Sequence, residues 1–385
     1  MVIKNKRIAI VGGGPGGLTL ARLLQMSGAD VKVYERDVNR EVRVQGATLD
    51  LHEESGLKAL AGAGLMDAFK KNYRPGADKM RIVDQHASIF WDDHDMKPEE
   101  DFGNEYFRPE IDRGPLRNIL LDSLQPGTVV WDSQFLTMSQ ISNTWKLEFK
   151  NGKTAIADIV IGADGANSKI RPFITPVKPF YTGVTGVEGN VYDAEIKTPN
   201  IHELLRGGKI FAFGGEKSLI VSSKGDGSLS FYATSKMEEN WANNSRIDFS
   251  NKAQVLDWFK KDFSAWNSIW HELFENVTTS FFPRPIYSMP LDQTWEALPN
   301  LTMLGDAAHL MPPFAGEGVN MAMLDALELA EALTNKECND IQLAISAYEK
   351  QMRIRASEAA KVSLENTEWM HAENAIDKML AMFGE

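Results

Sequence analysis

A single stretch near the start restricts the chain to one kind of architecture. Residues 6–37 read KRIAIVGGGPGGLTLARLLQMSGADVKVYERD. The short β-branched run Arg7 to Val11 reads as a buried strand, and Gly12, Gly14 and Gly17 after it satisfy G-x-G-x-x-G. A helix follows with Leu18, Leu20, Ala21 and Leu24 on its apolar side, then a second strand, VKVYE, ending at Glu35. This is a complete βαβ unit of a parallel sheet, so an α/β fold with a Rossmann-type nucleotide site is expected. Gly12 permits the tight turn, Gly14 lets backbone approach a pyrophosphate, and Gly17 lets helix and strand pack closely. Pro15 belongs to the same turn. The helix N-terminus offers free N–H groups and a positive dipole to phosphates. Glu35 stands where an acid binds a ribose hydroxyl, and it would repel a 2′-phosphate, leaving FAD or NAD for this site.

Two further stretches carry acids on strand ends. ADIVIGADGANSKIR, residues 157–171, reads as a strand over Ile159 to Ile161, then a turn with Asp164 and Gly165, then Ser168 and Arg171. Alone, it is an ordinary strand and turn. LTMLGDAAHLMPPFAGEGVN, residues 301–320, reads as a strand from Leu301 to Leu304 followed by Gly305 and Asp306. An acid there points into the ligand crevice of a parallel sheet, or caps the local turn. Pro312 and Pro313 stiffen the approach to a helix, and Gly316 and Gly318 let backbone pass close to a ligand.

Composition narrows the function classes. A length of 385 residues suits two domains or one large α/β domain. The net charge of -12 disfavours a nucleic-acid surface. A single cysteine, Cys338, excludes a disulfide framework or a multi-cysteine metal site and fits a reducing cytosol, so a cytoplasmic location without a leader is expected. No run approaches the roughly 20 apolar residues of a membrane span.

In chain order, G-x-G-x-x-G with its acid, Asp164-Gly165 and Gly305-Asp306 resemble the class A FAD-dependent aromatic monooxygenases, the group built like para-hydroxybenzoate hydroxylase. YERD, GATLDLH, RNILLDSL and LGDAAHLMPPFAGEGVN together look closest to the tetracycline-inactivating flavin monooxygenases. The resemblance covers nearly the whole chain. It implies FAD as cofactor, with NADPH or NADH as a transient reductant, and dioxygen as co-substrate. A planar aromatic or polyketide-like molecule would be hydroxylated through a flavin C4a-hydroperoxide. It also implies roles residue by residue. Glu35 would hold the adenosine ribose. Arg36 or Arg43, and Arg113 or Arg117, would touch the ribityl and phosphate parts. Arg43 would also meet the nicotinamide, and Asp50 would lie beside the flavin. Asp164 and Gly165 are associated with both nucleotides, and Asp306 would bond the ribityl chain. The backbone from Pro313 through Gly316, Gly318, Val319 and Asn320 would face flavin N1 and the C2 carbonyl, where a helix N-terminus stabilises the negative charge of the reduced ring. No acid–base residue is nominated, since the cofactor carries the chemistry. His309 is read as a structural partner of its turn.

The expected layout is a discontinuous FAD-binding domain (1–74, 106–175 and 277–335) and a second domain (75–105 and 176–276). The latter holds a mainly antiparallel substrate-binding sheet. A C-terminal helical segment (336–385) bridges the two. KIFAFGGEKSLIVSSKGDGSLSFYATS, residues 209–235, supplies sheet strands with turns near Gly214-Gly215 and at KGDG. The pocket is expected from Glu188, Ile210, Phe211, Val221 and Ser230 on the sheet, Pro312, Phe314, Ala315 and Gly316 on the loop, and Trp369 and Met370 on the last helix. Glu188, Ile210 and Ser230 match the glutamine, arginine and histidine of tetracycline-degrading members. Charge-assisted bonds of roughly 1.5–3 kcal/mol each would then be missing for a tetracycline. A monomer is expected. Rival readings are a flavin dehydrogenase or reductase without oxygen insertion, and a flavin-bearing binding protein without turnover.

Overall fold

The computed structural model describes residues 2–42, 47–96, 102–104 and 106–383. A parallel sheet of five strands has the order β17-β11-β1-β2-β7. Its members are β1 (Arg7–Val11), β2 (Asp30–Tyr34), β7 (Val129–Val130), β11 (Ile159–Gly162) and β17 (Leu301–Met303). β1 lies between β2 and β11 in register, with Ile10 beside Val33 and Ile161. Alternation sorts its side chains. Ile8, Ile10, Ile159 and Ile161 face the main helical core, while Ala9, Val11 and Val160 face a second cluster under a small antiparallel sheet. That small sheet comprises β8 (Phe135–Ile141), β9 (Thr144–Phe149) and β10 (Thr154–Ala157). Helix α1 (Pro15–Met26) packs on the helical side against α2 (Glu317–Thr334).

The second sheet has seven strands in the order β16-β12-β15-β14-β13-β4-β5. They are β4 (Met80–Asp84), β5 (Ile89–Asp92), β12 (Phe180–Val191), β13 (Lys209–Gly214), β14 (Lys217–Ser223), β15 (Leu229–Lys236) and β16 (Phe282–Ser288). All its pairings are antiparallel except β13 with β4. β16 corrects one expected boundary: residues 282–288, assigned by sequence to the FAD-binding part, pair with β12 instead. One face of this sheet is buried by Trp258, Phe259, Trp270 and Phe274 from outer helices. The other looks towards the parallel-sheet half. A two-stranded ribbon, β3 (Leu49–Asp50) with β6 (Glu110–Ile111), lies at that junction. Helix α3 (Ile341–Trp369) and α4 (Ala375–Ala381) run from one half to the other. Ala344, Ile345, Tyr348 and Met352 join the helical core, and Met370, Ala375 and Met379 pack on Ile82 and Phe213. Among the described residues no helix is long and apolar enough to cross a membrane.

Candidate functional site

The three glycines of the first turn separate by what surrounds them. A Cβ at Gly12 would lie 2.2 Å from the Ala163 carbonyl oxygen, and Gly12 has φ +111°. A Cβ at Gly17 would lie 2.2 Å from the Gly12 carbonyl oxygen. Both are required by the protein itself. Gly14 is different: its φ of -79° and ψ of 178° suit any residue, and a Cβ there meets no protein atom within 4 Å. Gly14 is the N-cap of α1 and makes no side-chain cap, so the N–H groups of the first turn point outward unanswered by a capping side chain. This open, N–H-lined hollow fits a dinucleotide pyrophosphate. Glu35 closes it from β2. The residue is 4% exposed, and its carboxylate accepts from Gly13 N at 2.6 Å and Asp37 N at 3.0 Å.

The second and third motifs meet through a residue to which sequence reasoning gave no role. Asp164 accepts from Ser168 Oγ at 2.6 Å and Lys169 N at 2.6 Å, and Gly165 takes φ +78°, so the turn is internally braced. The brace delivers Arg171. Its Nε donates to the Ala307 carbonyl at 2.7 Å and its Nη2 to the Asp306 carbonyl at 2.8 Å. Gly305, at φ 58° and ψ -146°, holds a conformation only glycine tolerates. Its N–H donates to Asp325 Oδ2 at 2.9 Å, and the same oxygen lies 2.6 Å from His309 Nε2. Arg355 of α3 takes the other Asp325 oxygen at 2.6 Å. Burial would lower His309, but the Asp325 charge outweighs it and holds the imidazole above its ordinary value. His309 thus braces the turn that carries Asp306. Burial pushes the Asp306 carboxyl up, against the pull of His309, Arg113 and Arg171.

Beyond the turn, Pro313–Ala315 form one 3-10 turn and Gly316 caps α2 at φ 71°. Pro312 is buried, Pro313 exposed, and Phe314, Ala315, Gly318 and Val319 are half-buried. Asn320 stitches this mouth to β3, accepting from His52 N at 2.9 Å and donating to the Asp50 carbonyl at 2.9 Å. The Asp50 carboxylate lies directly under Gly316, where a Cβ would sit 2.9 Å from Oδ2. His52 Nε2 is 3.0 Å from Asp50 Oδ2, and Nδ1 is 3.4 Å from Glu317 Oε1. Burial works against the charge on His52, yet its bonds to Asp50 and Glu317 raise it to about 9.

The arginine expectations divide. Arg113 lies near Asp306 and donates from Nε to the Ala47 carbonyl at 2.9 Å. Arg117 is 6% exposed, with Nη2 bonded to Asp37 Oδ2 at 2.9 Å and its guanidinium over Trp131. That position makes it a brace of the loop after β2. Arg36 is exposed, and Arg43 lies outside the described residues.

The sheet face corrects the pocket expectation. Ile210 and Val221 lie in the cluster under the outer helices, with Phe231 and Trp258. Because side chains alternate along a strand, their neighbours Lys209, Phe211 and Ile220 face the other way, towards the cofactor half. Two registered rows cross this face. One is Lys209, Ser222, Ser230 and Asn190; the other is Phe211, Ile220, Tyr232 and Glu188. In the first, Ser230 Oγ and Asn190 Oδ1 are buried without a hydrogen-bond partner. Lys209 Nζ pairs with Glu110 Oε1, and Glu110 Oε2 is likewise unpartnered. In the second, Glu188 is taken by Arg284 at 2.9 Å. Phe314, Trp369 and Met370 approach from the loop and the end of α3, with the Trp369 ring 6.3 Å from Phe213. A cation therefore stands on the face where the match through Ile210 left none.

Comparison with known proteins agrees with this geometry. Residues 5–215 and 295–362 match the family model described as FAD binding domain. Monooxygenase asqM of Emericella nidulans is 28% identical, with 98% of each chain covered. Klebsiella pneumoniae HpxO, solved with FAD and uric acid, has a TM-score of 0.75 at 20% identity, covering 98% of this chain and 92% of that one. Tetracycline destructase Tet(55) has a TM-score of 0.74 at 19% identity, covering 96% and 90%. The last two show a common fold. With well over half its length matched, the chain belongs to the FAD binding domain family, as a class A type FAD-dependent monooxygenase.

Proposed function

We propose that this protein uses NADPH or NADH and dioxygen to hydroxylate a planar aromatic or polyketide-like molecule carrying an acidic oxygen. The observation that carries the substrate reading is the pair of rows on the cofactor-facing side of the seven-stranded sheet. Phe211, Ile220 and Tyr232 offer a flat, largely apolar strip. Beside it, Lys209, Ser222, Ser230 and Asn190 form a polar edge with two unpartnered oxygens, each of which costs free energy until a ligand group bonds it. Burial works against the Lys209 charge, but Glu110 and Asp50 outweigh it and keep the ammonium charged. Such a cation orients an ionised hydroxyl or enol by a charge-assisted bond. A tetracycline stays within this class, since Lys209 replaces the charge that Ile210 lacks.

FAD, when bound, supplies reduction by the nicotinamide and transfer of one oxygen atom from dioxygen. The chain's own residues bind and orient. Gly14 and the mouth of α1 would take the pyrophosphate, Glu35 the ribose, and Asp306 the ribityl chain. The backbone at Gly316 and Gly318 would face the pyrimidine edge. Phe314, Trp369 and Met370 exclude water from above the sheet. The test is a screen of phenolic and polyketide compounds for acceleration of NADPH oxidation by the FAD-loaded protein, followed by mass analysis. One added oxygen atom with matched dioxygen uptake is expected. Hydride transfer without dioxygen uptake would replace this reading with a dehydrogenase.

A further inference from the structure

We infer that Asn366 is a positioning residue that ties the wall of the substrate pocket to the cofactor loop, so that the Trp369 indole and the main chain of Phe314 move together. The inference rests on the proposed placement of the flavin at that loop. Asn366 lies near the end of α3, three residues before Trp369 and on the same side of the helix. Its Nδ2 donates to the Phe314 carbonyl at 2.9 Å, and its Oδ1 accepts from Trp369 Nε1 at 2.8 Å. An indole N–H can only donate and a carbonyl can only accept, so the two partners fix the amide one way round. Turning it over breaks both bonds, and a carboxylate cannot make both. The loop needs such a tie. Pro312 and Pro313 have no N–H to give, and the Gly316 N–H reaches the Pro313 carbonyl only at 3.3 Å. The Phe314 ring is held from the same helix end. It meets the His371 ring edge-on, at 5.6 Å between centroids and 69° between planes. His371 is in turn bonded at both nitrogens, to the Thr367 carbonyl and to Thr234 Oγ1 of β15. Trp369 belongs to the cluster that holds Phe211, Phe213 and Ile220, and Phe211 and Ile220 are part of the strip proposed to take the planar substrate. A molecule pressing on the indole therefore pulls on the carbonyl that sets the loop, and through Gly316 on the mouth of α2. The N–H groups there stabilise negative charge at the pyrimidine edge only while the loop stays in place.

The test needs no substrate. Asn366→Asp keeps an acceptor for the Trp369 indole but sets an oxygen against the Phe314 carbonyl. Trp369→Phe keeps a ring in the wall and leaves the amide free to turn. With or without FAD, amide hydrogen exchange over residues 311–320 is expected to quicken about tenfold in each single variant and no further in the double variant, because both break one unit. In FAD-loaded protein the flavin midpoint potential, measured by dye equilibration, is expected to fall by about 30 mV in each, a tenfold shift of a two-electron equilibrium against the reduced form. A side chain that merely filled space would not move a potential. Wild-type exchange in Asn366→Asp would overturn the tie whether or not FAD binds, and additive effects in the double variant would overturn the coupling. Gly318→Val reads the flavin placement separately. Outside its own helix turn a Cβ there first meets Asp306 Oδ1, at 3.9 Å, so its methyl groups would enter the space proposed for the flavin. If Gly318→Val shifts the potential and Asn366→Asp does not, Asn366 has no hold on the cofactor and the inference fails. If Gly318→Val leaves FAD affinity and potential as in wild type, the placement fails, and the inference with it, whatever the exchange shows.

Discussion

Gly14 and Gly17 are three residues apart in one motif, yet the structure assigns them opposite sensitivities. A side chain at Gly17 must displace backbone, because its Cβ would lie 2.2 Å from the Gly12 carbonyl oxygen and 3.2 Å from the Ala163 Cβ. Overpacking of this kind costs about 1–3 kcal/mol, at the upper end where backbone must move. At Gly14 the backbone angles are ordinary and the surroundings are open to 4 Å. Gly14→Val should therefore cost cofactor-free protein no more than about 1 kcal/mol, the scale of replacing a favoured N-cap residue. Its methyl groups would instead fill the hollow at the mouth of α1. A hundredfold weaker FAD dissociation constant, about 2.7 kcal/mol, is expected from displacing a pyrophosphate from its N–H groups. Two measurements decide it: denaturant unfolding of cofactor-free wild type, Gly14→Val and Gly17→Ala, and FAD titration of each by flavin fluorescence. The expected pattern is a stable Gly14→Val that purifies colourless and an unstable Gly17→Ala. If Gly14→Val bound FAD as wild type does, the phosphate placement would be wrong. If it unfolded as easily as Gly17→Ala, the glycine would be structural.

Other sites give equally direct outcomes. Arg171→Ala removes two bonds to the carbonyls of Asp306 and Ala307 and should cost about 3 kcal/mol while weakening FAD binding, measured by the same two assays. His371 is buried between Thr367 and Thr234, with Nδ1 and Nε2 each 2.7 Å from its partner. Burial lowers it to about 4, so its neutral form stabilises the fold fully above 6.5. Roughly 3 kcal/mol should be lost as pH falls through 4, and His371→Gln should flatten that acid limb in unfolding measurements. His52 works in the opposite sense: with a value of about 9, its contribution is complete below 6.5 and is lost as pH rises through 9. Lys209→Met leaves Glu110 buried and unpaired and should destabilise by about 3–5 kcal/mol, whereas Lys209→Met with Glu110→Gln should recover most of it. A double-mutant cycle on unfolding free energy reads the difference. Recovery of stability without recovery of substrate affinity would separate the anchoring role of Lys209 from its structural one.

The nucleotide-binding half was legible in the sequence because its information is local. Strand Arg7–Val11, helix Pro15–Met26 and the turn between them follow from β-branched content, glycine spacing and a 3.6-residue period within 20 residues of chain. The loop at 305–320 was legible for the same reason: its prolines and glycines dictate a stiff turn whatever surrounds it. What the tertiary structure alone decided is non-local. Which face of β13 looks towards the parallel-sheet half follows from packing against the outer helices, and Ile210 lies on the face under those helices while Lys209 lies on the other. Arg171 has no local signal, because its two acceptors are carbonyls 135 and 136 residues away. The same holds for Asp50, His52 and Glu317, where the last member is 265 residues from its partner and joins it only because Asn320 ties β3 to α2. Short-range backbone chemistry set the glycine turn and the helix mouth; long-range packing chose the side chains that surround them.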